Sequence, residues 1–458
     1  MKKKILVLMM VMVVSSAVFA QEEEQYDQYG MKVSSKELKT EMRDGILVLE
    51  SKDKGYKLWF DTRVQADFAT FFGEDKDYDK IGDGASIRRA RFAIKAQISP
   101  EWYGEIDLDF ADGIAELKDA LLRYDGLKGF EFQVGNFKEN FSLQRNTSSR
   151  YLQFIERPMV TYLAPSRHLG AQVKYNNDLV WAAGGVFFQP VAGVEEVTNV
   201  QDNNKDFGRS TGHSFTGKLA LRPFHHLEEA GLHIGGGLSY RTPKASESIA
   251  EGGVFRYSTR NSTNINRKKY LDTDEIQDAD HELLYTGEIA GHYKGLRYEG
   301  AYIGNTISLK DDSKQANTKD KHFGGWYAQA GYLLFGGQQR YDSNGAKYNR
   351  IIRGKKWGDV EVTARYEYLD LNDSDGGIYG GSAQAYTVGL NFWVNNNVKL
   401  MVNYQYNDND RYANGKGKLL VGHDADGKPT SDYTKVVESK GKAGVDYSML
   451  AVRCEIVF

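Results

Sequence analysis

Leu450-Ala451-Val452-Arg453-Cys454-Glu455-Ile456-Val457-Phe458 closes the chain. Side chains of a strand alternate with a period of two, so Leu450, Val452, Cys454, Ile456 and Phe458 share one face while Arg453 and Glu455 take the other. One such strand fits a half-buried position in a soluble sandwich as well as it fits a membrane wall, and repetition separates the two. Leu58, Phe60, Val64, Ala66 and Phe68 alternate with Asp61, Arg63, Gln65 and Asp67. Ala90, Phe92, Ile94, Ala96 and Ile98 oppose Arg89, Arg91, Lys95 and Gln97, and Trp102, Ile106, Leu108 and Phe110 oppose Glu105, Asp107 and Asp109. Further alternating segments begin near Glu116, Gly129, His168, Leu179, His213, Leu232, Leu283, Leu296, Phe323, Asp359, Gln384 and Val398. With the terminal strand they predict an all-β fold, a transmembrane antiparallel β-barrel of about 16 strands, the even number that such barrels use. Closure satisfies every backbone hydrogen bond without an edge, so the last strand has to pair with the first.

The links carry the same message. Short ones at Ser99-Pro100, Asn176-Asn177-Asp178, Lys294-Gly295 and Asn395-Asn396-Asn397 tend to alternate with long polar ones around Gly73 to Ala85, Pro190 to Thr211, Thr242 to Asp280 and Asn409 to Asp446. Short periplasmic turns and long outer loops are the habit of membrane barrels. Two links break the rule: the one after Asp112 is short where it belongs outside, and Phe335 to Lys356 is long where it belongs in the periplasm.

Composition agrees. Tyr 29, Phe 22 and Gly 48 are high against Pro 7, a profile that suits aromatic girdles and one-sided grease. Lys2, Lys3 and Lys4 precede an apolar run from Ile5 to Val14 and a small-residue exit at Val18-Phe19-Ala20, which predicts a signal peptide at 1–20 cut before Gln21. That cut takes three lysines from the 59 basic residues and leaves 56 against 62 acidic ones, a net charge of -6 that disfavours nucleic acid as a partner. No later stretch offers the roughly 18 apolar residues a spanning helix needs. The single cysteine, Cys454, excludes an intramolecular disulfide. Residues 21–55 read as a periplasmic arm ending in a hairpin around Ile46-Leu47-Val48-Leu49, and 56–458 as the barrel.

Within that wall the stretch from Phe137 to His168 stands apart. Lys138, Arg145, Arg150, Arg157 and Arg167 outnumber Glu139 and Glu156 in a chain of negative balance. We read 137–168 as an inward-folded constriction loop that presents cations to passing anions. By alternation alone the lumen-facing cations are Arg63, Arg89, Arg91, Lys95 and Arg123. Guanidinium groups suit this task because their planar forks match phosphate oxygens, and conduction needs several weak sites in a row. Each of these residues has a plain alternative as solvated wall, since porin-type lumens are polar whatever passes.

Several blocks resemble the phosphate-selective porin O/P family of Gram-negative outer membranes. They are Asp61-Thr62-Arg63-Val64-Gln65, Arg88-Arg89-Ala90-Arg91-Phe92, Val134-Gly135-Asn136-Phe137-Lys138, Thr147-Ser148-Ser149, Phe154-Ile155-Glu156-Arg157, Trp357-Gly358-Asp359-Val360-Glu361-Val362, Leu369-Asp370-Leu371-Asn372-Asp373 and Val388-Gly389-Leu390-Asn391-Phe392-Trp393. The resemblance implies a 16-stranded barrel, usually trimeric, with the third external loop folded inward as a constriction. We expect outer-membrane lipid around the barrel and, from the absence of any catalytic or metal-ligand motif, no cofactor, metal or enzyme activity. The resemblance places an arginine ladder at Arg63, Arg88 and Arg89, with Lys138, Arg150 and Arg157 around the constriction. The two routes agree on Arg63 and Arg89 and disagree on Arg88, whose parity points outward unless a bulge shifts the register. Asn140 stands where the family commonly has proline, and the acidic rows at Glu105, Asp107 and Asp109 weigh against strict phosphate selectivity. The carboxy-terminal Phe458 resembles the signal read by the outer-membrane assembly machinery. The expected function is passive diffusion of anions such as phosphate or polyphosphate. The alternatives are a general diffusion porin, a structural or adhesive surface barrel and, third, a barrel enzyme. His225-His226 reads as a polar turn, since a metal site needs a third ligand.

Overall fold

Alternation in the sequence becomes a sorting of side chains by face. Phe68, Leu238 and Val388 point outward with 49, 59 and 55% of their surface exposed, whereas Arg63, Gln65, Glu367 and Arg453 on the opposite parity are buried. Exposed rows of this kind are stable only against lipid. The structure, a computed structural model, describes residues 25–26, 28–30, 32–33, 37–43, 45–188, 191, 212–245 and 253–458. The expected leader at 1–20 and nearly all of the loop from Pro190 to Thr211 lie outside the described residues.

Sixteen antiparallel strands close the barrel in sequence order. They are β1 (Lys57–Phe72), β2 (Gly84–Gln97), β3 (Trp102–Asp109), β4 (Glu116–Tyr124), β5 (Phe130–Lys138), β6 (Arg167–Asn176), β7 (Val180–Phe187) and β8 (Ser214–Leu221). The second half is β9 (Ala230–Arg241), β10 (Ala279–Tyr293), β11 (Leu296–Leu309), β12 (Lys321–Leu333), β13 (Asp359–Asp373), β14 (Ile378–Trp393), β15 (Val398–Asn409) and β16 (Val445–Val457). Each alternating segment of the sequence corresponds to one of them.

The seam is made as closure requires. β16 pairs with β1 from Ser448 opposite Phe72 to Val457 opposite Arg63. Phe458 then exchanges backbone bonds with Thr62, at 2.7 and 3.3 Å. Inside the seam Arg453 forks onto both oxygens of Asp67 at 2.6 and 2.7 Å. Beyond the seam the hairpin Leu38–Arg43 and Ile46–Ser51 extends β1, with Val48 opposite Trp59 and Glu50 opposite Lys57. Deleting Phe458 removes both backbone bonds at the join. The expected outcome is a lower yield of folded barrel, read from heat-modifiable gel mobility, and an undiminished yield would refute a closing role.

Both anomalous links are real features of the fold. The outer link 110–115 is short, while 334–358 is long and lies at the end where the hairpin and Phe458 meet. Instead of hanging free it turns inward. Trp181 Nε1 donates to the carbonyl of Asn344, and Arg297 lies 3.8 Å over the ring of Tyr348.

The interior has two tiers. In the outer half of β11 to β16 many inward positions are apolar, including Ile303, Ile307, Leu369, Leu371, Met449 and Ala451, while β15 keeps a polar row at Gln405, Asn407 and Asn409. Phe141, Ile155, Met159, Val160 and Leu163 pack on them from the 139–166 connection, with Tyr270, Leu271 and Ile276 from 242–278. The polar inward row expected along every strand is therefore corrected for this region: a loop buried inside a barrel needs an apolar seat, because burial of its own greasy side chains is what holds it there.

Candidate functional site

Phe137 and Lys138 are the last residues of β5, paired with His168 and Arg167 of β6, so the ends of the stretch read as a loop belong to the wall. The connection proper is 139–166. A buried loop has to find partners for its backbone, and the carboxylates of the far wall supply them. Leu143 N donates to Glu288 at 2.7 Å and Met159 N to Glu367, Ile155 N reaches the Asn403 side-chain oxygen at 2.8 Å, and the Gln153 side chain donates through Nε2 to Glu361 at 2.8 Å. At its start Glu139 is fully buried and takes His168 Nδ1 at 2.6 Å, Arg241 at 3.1 Å and the Thr216 hydroxyl. Near its end Glu156 takes Arg88 at 2.5 Å and Arg453 at 3.2 Å. Burial alone would raise the carboxyl pKa of Glu156, but Arg88, Arg89 and Arg453 outweigh it and hold the group well below the usual carboxylate range.

The acidic wall of β10 to β13 is thus covered by the connection, and the open space is left against β1 to β6. There a cavity of about 380 Å³ is lined by ten basic side chains, against the carboxylates of Glu105, Asp107, Asp119 and Asp342. Each acid of the wall group has its own cation: Asp119 takes Arg167 at 2.6 and 3.0 Å, Glu105 takes Lys95 at 3.3 Å, and Asp107 lies 3.7 Å from Arg91. The acidic rows that weighed against selectivity are neutralised locally, and a net cationic space remains. Two guanidinium donors in it, Arg63 Nε and Arg150 Nε, are buried without a hydrogen-bond partner, as is the Asn146 Nδ2 group.

Of the residues expected to meet solute, Arg63, Arg89, Arg91, Lys138, Arg150 and Arg157 line this cavity together. Arg63 donates to Ser149, and Arg89 to Gln65 at 2.7 Å. Arg157 holds the Gln144 and Thr147 carbonyls at 2.7 and 2.6 Å, Lys138 holds the Arg145 carbonyl at 2.9 Å, and Arg150 pairs with Asp61. Arg91 is tied to Asp109 at 2.8 Å. Arg88 points inward because of a bulge: Gln65 pairs with Arg89 and Ala66 with Ile87, so Arg88 is the extra residue, and it is engaged with Glu156. Arg123 does not join the group. It sits near the inner end of β4, 4.3 Å over Tyr103 and paired with Asp125 at 3.0 Å.

Lys95, lumen-facing by alternation, also lines the cavity, and three further cations, Arg167, Lys174 and Lys347, were not expected there. Lys174 shares the inward parity of Gln172 and was readable from the β6 pattern, whereas Arg167, of the opposite parity, was marked only by the excess of basic residues between Phe137 and His168. Lys347 comes from 334–358, and its only trace in the sequence was the anomalous length of that link.

Comparison with known proteins places this geometry. The family described as "Phosphate-selective porin O and P" matches residues 60–426. Porin O of Pseudomonas aeruginosa is 25% identical over 81% of this chain and 88% of its own length. Among solved structures, OmpT of Vibrio cholerae in a trimer form superposes with a TM-score of 0.50 at 10% identity, covering 88% of this chain and all of that one, a likeness of fold alone. The chain therefore belongs to the phosphate-selective porin O and P family and is an outer-membrane porin for anions.

Proposed function

We propose that the solute is phosphate or a short polyphosphate, that the connection 139–166 is the constriction, and that diffusion is passive. The observation that carries this reading is the cationic cavity with its two unpartnered guanidinium donors, Arg63 Nε and Arg150 Nε. A dehydrating anion needs donors that are not already spent, and water-poor surroundings make each worth more than it is in bulk solvent. Arg63, Arg89, Arg150 and Arg157 bind; Arg91 and Lys138 add field; Arg88 holds the loop through Glu156; Arg123 serves the inner exit. The working unit is a homotrimer in outer-membrane lipid, assembled through recognition of Phe458. Because the basic groups surround a narrow space, they repel cations as well as attracting anions.

Zero-current potentials in a potassium chloride gradient are the test. A strongly anion-favouring potential, with phosphate reducing chloride current at millimolar concentration, is expected. A cation-favouring or neutral potential would leave a general diffusion porin in its place.

A further inference from the structure

A second cavity, of about 500 Å³, lies at the inner end of the barrel between the 222–229 turn and the inward-folded 334–358 link. It meets the central cavity only at Tyr348, which lines both. Phe224, Leu227 and Ile352 form an apolar mouth, each between 46 and 49% exposed. Deeper in, Tyr341 and Tyr348 stand edge to face at 5.5 Å, and His292 sets its edge on Tyr348 at 5.9 Å.

The polar groups are unevenly satisfied. His233 is fully used, by the Tyr341 hydroxyl at 2.6 Å and Glu288 at 3.0 Å. Arg222 is only 3% exposed, and its terminal nitrogens hold Ser343 and Asn176, yet its Nε has no partner. His292, 8% exposed, likewise leaves Nδ1 without one. Buried polar groups are normally paired, so two orphans in one cavity mark a place built for a ligand, an acceptor for Arg222 Nε and for His292 in its Nδ1–H tautomer. Arg340 stands exposed at the rim, and Glu228 is the one carboxylate in the lining. Half-apolar walls with a few convergent donors are what small-molecule sites look like.

We propose that this cavity is a second anion site, for an organic phosphate ester: its ring or alkyl body lies among Phe224, Tyr341, Tyr348 and Ile352, and its phosphate meets Arg222 Nε, His292 Nδ1 and Arg340. The central cavity takes the bare anion; this one discriminates by the ester group. A solute held here sits under the 334–358 link on the inner side of the constriction.

The test is calorimetric titration of the full-length detergent-purified protein with phenyl phosphate, inorganic phosphate and phenol. Phenyl phosphate is expected to fill one site per chain beyond those that inorganic phosphate fills, and phenol none. His292→Phe keeps the ring contact and removes the donor. Arg340→Gln alters an exposed residue and leaves the fold intact. Each is expected to weaken the extra site about tenfold, one charge-assisted bond in magnitude, with inorganic phosphate titrating as before. Identical titrations for the two phosphates, equal binding of phenol, or full affinity in both variants would overturn the proposal. Binding is read directly, so failure of the conduction reading above would show separately, as loss of the inorganic phosphate titration or of anion current.

Discussion

In Arg63→Ala the phosphate concentration that half-saturates the current rises by about tenfold or more, because a hydrogen bond to a charged group contributes roughly 1.5–3 kcal/mol. Arg63 is the place to look because its Nε is an unspent donor in the cationic cavity. The companion change Arg91→Ala gives a smaller rise, since that guanidinium is already committed to Asp109 at 2.8 Å. High salt compresses the contrast. At 1 M the screening length falls to about 3 Å, so conductance of the two variants converges on the native value. Single-channel recordings over a phosphate series check all three statements. Equal shifts in the two variants would mean that the cavity acts through its total charge and that no individual donor is special.

Glu156→Gln has the largest structural effect. The native carboxylate is buried among Arg88, Arg89 and Arg453, and it also ties 139–166 to β2 and β16. Neutralising it leaves three guanidinium groups facing one another, and breaking a buried pair in this way typically costs about 3–5 kcal/mol. The connection then lifts from its seat. Open-channel conductance increases, saturation by phosphate weakens, and the temperature of heat modifiability falls. The pH dependence has a defined sign. The folded pKa lies below the unfolded value of about 4.3, so the stabilisation is complete above roughly pH 5 and is lost only as pH falls through the folded value. Native channels therefore keep one conductance from pH 8 to pH 5. An opening transition near pH 6 would contradict the assignment.

How much of this was legible differs by element. All sixteen strands were, because lipid on one side and polar groups on the other impose a period of two that survives without neighbours. The start near Glu116 and the end at Phe458 needed nothing but that alternation. Arg88 was not settled, since a bulge is decided by pairing between two strands and leaves no mark in either one alone. The loop bounds were misplaced at Phe137, Lys138, Arg167 and His168 for a related reason: polar residues at a strand end look the same as loop. The apolar outer tier was unreadable as such. Leu369 and Leu371 look like wall positions until the partners from 139–166 and 242–278 are placed against them. Lys347 belongs to a link whose inward course depends on contacts with Trp181 and Arg297, far away in sequence.

The anchorage of 139–166 has a mechanical consequence. Glu139 is gripped by Thr216 and Arg241 on β8 and β9, and Glu156 by Arg88 and Arg453 on β2 and β16, which stand across the ring from them. A hollow tube under lateral bilayer pressure deforms most easily by flattening. A strut pinned to opposite walls opposes that mode, so the bore keeps a circular section whatever the tension of the surrounding lipid.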